Sequence, residues 1–148
     1  ESFGERFRID DRIFYLFPTP EMIAKQNVSS FKQLQFTEKK SEYVIELAQK
    51  MEDGTLSKNT LLKKESFKLV KKELMRLHGV GKWTAAYVCL RCLKDPAAFP
   101  IDDVGLQNAI KRQLGLSAKP AVDKIYKFSR RCKNWEAYST FYLWNSLL

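Results

Sequence analysis

Apolar positions recur at three- and four-residue intervals along most of this chain, the spacing of helices that bury one face. Tyr43, Val44, Leu47 and Met51 keep that spacing after Thr37, which predicts a helix over 38–51 stopped by Gly54. Phe67, Val70, Leu74 and Leu77 keep it again and predict a helix over 66–77, with Lys63, Lys64, Lys68, Lys71 and Lys72 on much of its wet side. A strongly apolar helix over 82–93 follows; Asp95-Pro96 breaks it and Phe99-Pro100 holds the next stretch extended. Further helices are predicted over 104–114, stopped by Gly115, over 120–132 and over 135–147. Nearer the start, Phe3, Phe7 and Ile9 open an apolar segment. Thr19 and Pro20 read as N-cap and first helical residue. Ser29 or Ser30 would cap a short helix through Phe31, Leu34 and Phe36, and 55–63 reads as a polar connection. No alternating strand pattern persists and no repeat appears, so the expected class is all-α in one domain.

Composition narrows the partners. The 148 residues suit one domain, and 45% hydrophobic residues exclude wholesale disorder. A formal charge of +9 points to a polyanion, nucleic acid first, against the plainer alternative of a basic soluble protein. Three cysteines make a poor disulfide framework and suit a reducing compartment. Cys89 and Cys92 form a C-x-x-C inside an apolar helix with no fourth ligand, so buried structural thiols are expected rather than a metal or redox pair. No run reaches membrane-span length and no signal peptide is visible. The chain starts Glu1-Ser2 without Met, as a fragment of a longer protein would.

Two stretches carry chemistry. In LHGVGKWTAAYVCL, residues 77–90, Gly79 and Gly81 allow a tight corner between two helices. They also bare the amides at the start of the second helix. Those N–H groups have no partner inside the helix, and the helix dipole is positive there, which makes a seat for phosphate. Lys82 adds a full charge. The turn carbonyls face elsewhere and offer a place for a monovalent cation. An ordinary helix-turn-helix corner is the plain alternative. In FPIDDVGLQNAIKR, residues 99–112, two carboxylates stand at a helix start. One can cap the helix and the other can face a cleft, or both can be caps and surface charge.

The first stretch resembles the helix-hairpin-helix DNA-binding motif, placed over about 66–93. Hairpin, apolar helix and a Pro-x-Asp-Asp helix start, in that order, resemble the helix-hairpin-helix DNA glycosylase superfamily. Residues 77–112 are similar to its 3-methyladenine DNA glycosylase II branch, through LxGVGxWTAxY and FPxDDxxL. The likeness runs from FGERF and FPTPE to Trp144. It implies the fold class all-α, the helix-hairpin-helix glycosylase catalytic core, N-terminally truncated over 1–148. Relatives carry a helix ahead of FGERF that fills the hole left by a flipped base, and often a β-rich domain before that. Lacking it, the chain is expected to expose an apolar groove, to associate through it and to have weak activity or none, whereas the complete protein is expected to be a monomer.

The resemblance also assigns roles. The superfamily's essential carboxylate lies three positions before an apolar residue of the following helix, which maps it to Asp103 with Leu106. Asp102 becomes a structural cap. Trp83 stands where bifunctional members have a lysine nucleophile, and Lys82 would point about 100° away on the helix. A monofunctional enzyme without lyase activity is therefore implied. The iron–sulfur cysteines of the endonuclease III branch are absent. Trp83, Tyr87 and Trp144 match base-pocket positions, with core packing the alternative. Gly79, Val80, Gly81, Lys82 and Thr84 would bind DNA phosphate. The carbonyls of Met75, Leu77 and Val80 would hold Na+ or K+, and no other cofactor is required. His78, the one histidine, stands where many relatives have proline and reads as a hairpin filler. Val104 departs from the aromatic usual after the aspartate and leaves the pocket wider or tuned to other bases.

The implied function is base-excision repair: a damaged base in double-stranded DNA is flipped out and its N-glycosidic bond hydrolysed, with alkylated purines the expected substrates. Asp103 would stabilise the oxocarbenium-like transition state and activate water. A bacterial cytoplasmic location at the nucleoid goes with it. The rival readings are a non-catalytic helix-hairpin-helix DNA-binding module, and a glycosylase for a different damaged or mismatched base.

Overall fold

A computed structural model describes residues 2–148. They are mostly helical, as the periodicity predicts, and they fall into two compact units. The first runs to Leu61 and the second spans Leu62–Leu148. The polar stretch after Gly54, expected to be irregular, holds a short helix across that boundary, α4 (Lys58–Leu62), in which Leu61 is the buried residue.

The first unit contains strands the sequence reading did not expect. β1 (Arg6–Ile9) and β2 (Arg12–Tyr15) form an antiparallel hairpin, with Phe7 opposite Phe14 and Arg8 opposite Ile13. Every residue in it is exposed, so no buried face imprints a strong apolar alternation. Its turn places Asp10 at φ 52°, in the left-handed region that aspartate tolerates. α1 (Pro20–Ala24) starts as predicted, with the Thr19 hydroxyl accepting from Met22 N–H. α2 (Val28–Lys32) is capped by Asn27, not by either serine; its Oδ1 accepts from Ser30 N–H at 3.0 Å.

α3 (Glu38–Glu52) is capped by Thr37 and buries a different stripe from the expected one. Ser41 and Ala48 are buried with Ile45 beside them, while Val44 and Met51 are exposed. Small side chains on that stripe let both α1 and α2 pack against α3. Ile23, Phe31 and Ala48 form the small core, with Phe3 against Phe31 at 5.1 Å between ring centroids. The Ser41 hydroxyl donates to the Thr37 carbonyl at 2.9 Å, so its burial leaves no lost partner.

The second unit holds α5 (Phe67–Leu74), α6 (Lys82–Arg91), α7 (Val104–Gln113), α8 (Val122–Arg130) and α9 (Glu136–Asn145). α5 packs on α6, and α7 packs on both α8 and α9. Leu106, Ala109, Ile110, Ile125 and Leu143 make the core, flanked by Phe99, Ile101 and Phe128. α7 supplies most of it, which makes α7 the fixed element against which α9 is held. Among the described residues no helix is long and apolar enough to cross a membrane.

Candidate active site

The hairpin comes first along the chain. α5 stops at Leu74, earlier than its apolar spacing suggests, because the backbone tightens into three-residue turns. Arg76 N–H donates to Glu73, Leu77 N–H to Leu74 and Val80 N–H to Leu77, all at 3.0–3.1 Å. Leu77 lies outside the helix and is half-buried. The two glycines do different jobs. Gly79 sits at φ 77°, which favours glycine; Gly81 is the extended N-cap of α6 at φ −90° and needs no special freedom. A Cβ at Gly81 would meet nothing within 4 Å. What glycine leaves there is open space in front of the unpaired amides of Lys82, Trp83 and Thr84, since the helix ladder begins with Ala85 N–H donating to Gly81 at 2.9 Å.

From α6, Trp83 and Tyr87 project on one side, one turn apart, with ring centroids 5.1 Å from each other and 28° between planes. Trp144, from α9, closes on Tyr87 at 5.9 Å. Thus the three aromatic residues singled out in the sequence do converge, and they converge on Asp103. Trp83 Nε1–H donates to Oδ2 of Asp103 at 2.9 Å, and Trp144 Nε1–H donates to Oδ1 at 2.9 Å. A third donor, Leu106 N–H, reaches Oδ1 at 2.6 Å.

That last bond corrects one assignment. Asp103, not Asp102, is the N-cap of α7. It is the extended residue immediately before the helix, at φ −75° and ψ 122°, from which a carboxylate reaches the third amide. The apolar residue three positions on, Leu106, buries its side chain in the core and turns its amide back to the carboxylate. Asp102 is exposed and lines a cleft of about 320 Å³ with Lys71, Lys82, Trp83, Ser129 and Glu136.

The electrostatics of Asp103 follow from these partners. Partial burial alone would push its carboxyl upward; the hydrogen bonds from Leu106 N–H, the two indoles and Gly105 N–H outweigh it and hold the pKa below the usual aspartate value. All of these donors are uncharged. The carboxylate is therefore kept ionised without being neutralised.

Sequence reasoning missed three neighbours. Arg91 lies over Tyr87 at 5.7 Å and over Phe141 at 5.2 Å, and its Nε–H donates to the Tyr87 hydroxyl at 3.3 Å. Phe141 meets Trp144 edge-on at 5.7 Å. Both were findable, since Arg91 is one helical turn beyond Tyr87 and Phe141 nearly one turn before Trp144. Gly105, the third, is beside the carboxylate. Val104 is 66% exposed.

The C-x-x-C does not act as a unit. Cys89 is buried, and burial pushes its thiol up to about 11, whereas Cys92, expected buried, is exposed at the C-terminal cap of α6. No cluster of three or more metal-ligating side chains occurs among the described residues.

A family model for HhH-GPD superfamily base excision DNA repair proteins matches residues 1–134. The chain belongs to the HhH-GPD superfamily. Among curated HhH-GPD relatives, a DNA-3-methyladenine glycosylase of Bacillus subtilis (strain 168) is 42% identical over 147 residues, 99% of this chain and 48% of the relative. DNA-3-methyladenine glycosylase 2 of Escherichia coli (strain K12) is 32% identical over 97% of this chain and 47% of its own. The chain thus spans about half the length of these relatives. Among solved structures, a 3-methyladenine DNA-glycosylase from Archaeoglobus fulgidus superposes with a TM-score of 0.79 at 26% identity, over 96% of this chain and 47% of that one.

Proposed function

We propose that the protein carrying this chain is a monofunctional DNA glycosylase of base-excision repair that releases alkylated purines from double-stranded DNA, with Asp103 as the catalytic carboxylate. The observation that carries the reading is the Asp103 carboxylate gripped by two indole N–H groups inside an aromatic cluster. Cleavage of an N-glycosidic bond leaves positive charge on the sugar, and a nearby ionised carboxylate lowers that barrier. A carboxylate whose lone pairs are largely taken, and whose pKa is depressed, is a weak base. Its main contribution is then electrostatic, with orientation of water second.

An alkylated purine already carries positive charge, and once it is flipped out of the stack the faces of Tyr87 and Trp144 would attract it. Phosphate on the 3′ side would dock on the amides beyond Gly81 and on Lys82, where the space in front of the helix is open. The carbonyls of Met75, Leu77 and Val80 would hold Na+ or K+; all three lie past the last helical residue of α5, and the Leu77 carbonyl, which already accepts from Val80 N–H at 3.1 Å, would share its second lone pair with the ion. Strand cleavage is not expected, because an indole at position 83 offers no amine for a Schiff base.

The test is release of methylated bases from duplex DNA by the native protein and by its Asp103→Asn variant, followed by chromatography. Loss of release in the variant with DNA affinity equal or tighter supports the reading. No release by either, with affinity for DNA intact, replaces it with a non-catalytic DNA-binding module.

A further inference from the structure

Gly105 is the second residue of α7. It is not among the glycines with positive φ, so the backbone does not require glycine there. Inside a helix glycine is inferior to alanine. Neither conformation nor helix stability accounts for it. What distinguishes the position is what a side chain would strike. A Cβ there would lie 3.1 Å from Oδ1 of Asp103, 3.4 Å from Nε1 of Trp144 and 3.5 Å from Cδ1 of Trp144. Oδ1 and Nε1 are the acceptor and donor of one hydrogen bond, 2.9 Å long.

Oδ1 has little freedom to yield. It also takes the Leu106 amide at 2.6 Å, from a residue whose side chain is locked in the core. The indole has a second neighbour as well, since Phe141 meets it edge-on at 5.7 Å. A methyl group at position 105 requires a shift of a few tenths of an ångström. A branched side chain adds atoms one bond further out, where the indole edge lies.

We propose that Gly105 is a positioning residue: its missing side chain lets the indole N–H of Trp144 settle on Oδ1 of Asp103. Through that bond the glycine fixes the aim of the carboxylate. The inference rests on the reading of Asp103 as the catalytic group, but the contact itself is measurable without catalysis.

The experiment uses the native protein, its Gly105→Ala and Gly105→Val variants, and Asp103→Asn in parallel. The chain has three tryptophans, hence three indole N–H resonances. Those of Trp83 and Trp144 report the ionisation of Asp103 as the pH is lowered. Trp135, which is 63% exposed and packs on Tyr138, serves as the reference. In Gly105→Ala the acid-linked shift of the Trp144 resonance shrinks, and in Gly105→Val it is lost, while that of Trp83 persists. Base release by Gly105→Val falls about tenfold in kcat, the order expected for one charged hydrogen bond, with KM within about twofold. The thermal midpoint of Gly105→Ala does not fall, because alanine favours the helix.

A native Trp144 titration in Gly105→Val overturns the proposal. So does simultaneous loss of the Trp83 and Trp144 titrations with a lowered midpoint in Gly105→Ala, which would make the glycine a requirement of the fold. If Asp103→Asn still releases base, the catalytic reading fails, and the resonances still decide the contact.

Discussion

Replacing Asp103 by alanine tests whether the carboxylate is a structural centre as well as a chemical one. Besides the contact with Gly105 N–H, three bonds go with it. Loss of the N-cap bond to Leu106 N–H costs about 1 kcal/mol. Trp144 is half-buried, and its stranded indole N–H costs about another 1 kcal/mol. Trp83 is 44% exposed, so water takes over its N–H at a cost of a few tenths. The sum is about 2 kcal/mol, or a thermal midpoint roughly 4–8 °C lower for a chain of this size. The direction with pH is fixed by the depressed pKa of Asp103. Such a group stabilises the fold above its unfolded pKa, and that part is lost as pH falls through its folded pKa. Denaturant unfolding followed by tryptophan fluorescence reads the second unit, which contains all three tryptophans. The gap between native and Asp103→Ala protein is expected in full at pH 7 and to narrow below the ordinary aspartate range, leaving the weaker neutral cap. An equal gap at both pH values, or a variant more stable than the native protein at pH 7, would refute the reasoning.

Trp83→Phe keeps an aromatic ring and removes one donor from Oδ2, so the acid limb of base release should move to higher pH with the neutral-pH fold intact; a pH–rate profile shows it. Gly81→Glu should fold normally, since a Cβ there meets nothing within 4 Å, yet lose more than about tenfold in DNA affinity by placing a negative charge before the amides; fluorescence anisotropy and a melting curve together check this. Lys82→Gln should weaken binding on every DNA sequence and reduce the slope of log K against log salt by about 1. Cys92 should be alkylated by iodoacetamide at pH 8 while Cys89, with its thiol pushed up to about 11, stays unmodified in the folded protein, as intact mass before and after denaturation would reveal.

Much of the second unit was legible because its helices are one-sided. Val70 and Leu74 are buried where the spacing puts them, and the Gly-Val-Gly corner falls between two clearly periodic segments. The first unit was less so. Its hairpin buries neither face, and α3 packs through Ser41 and Ala48, whose small size does not register as hydrophobic periodicity. The site was legible as a set of residues and illegible as a set of bonds. Spacing of one turn brings Trp83 and Tyr87 together, but nothing in a sequence says that indoles 20 and 41 residues away from Asp103 both aim their N–H groups at it. Which of two adjacent aspartates caps α7 depends on where the helix begins to within one residue, and helix boundaries are the least determined feature of a periodic pattern. Gly105 was hidden for a related reason: a glycine early in a helix signals a weak helix, and its value lies in atoms from α9.

The choice of donors around Asp103 bears on the proposed chemistry. A carboxylate at a helix N-terminus is readily kept ionised by a lysine or arginine. At 4 Å such a partner would hold it with about 4 kcal/mol at an effective dielectric near 20, and would repel a developing sugar cation by a similar amount. Indole and amide N–H groups stabilise the ion through short-range dipoles and leave its net charge to act at a distance. The influences that set the Asp103 pKa include no neighbouring charge, although the chain carries an excess of nine positive charges. Lys82 sits instead at the start of α6, where a phosphate would dock, and lines one cleft with Lys71 of α5. One helix start, that of α6, is thus left open toward an anion, while the other, that of α7, holds its own anion toward a cation. If this separation matters, Val104→Lys, at the exposed first position of α7, should slow base release more than it weakens DNA binding. A variant with tighter binding and unchanged kcat would show that the charge of Asp103 is not what the aromatic cluster protects.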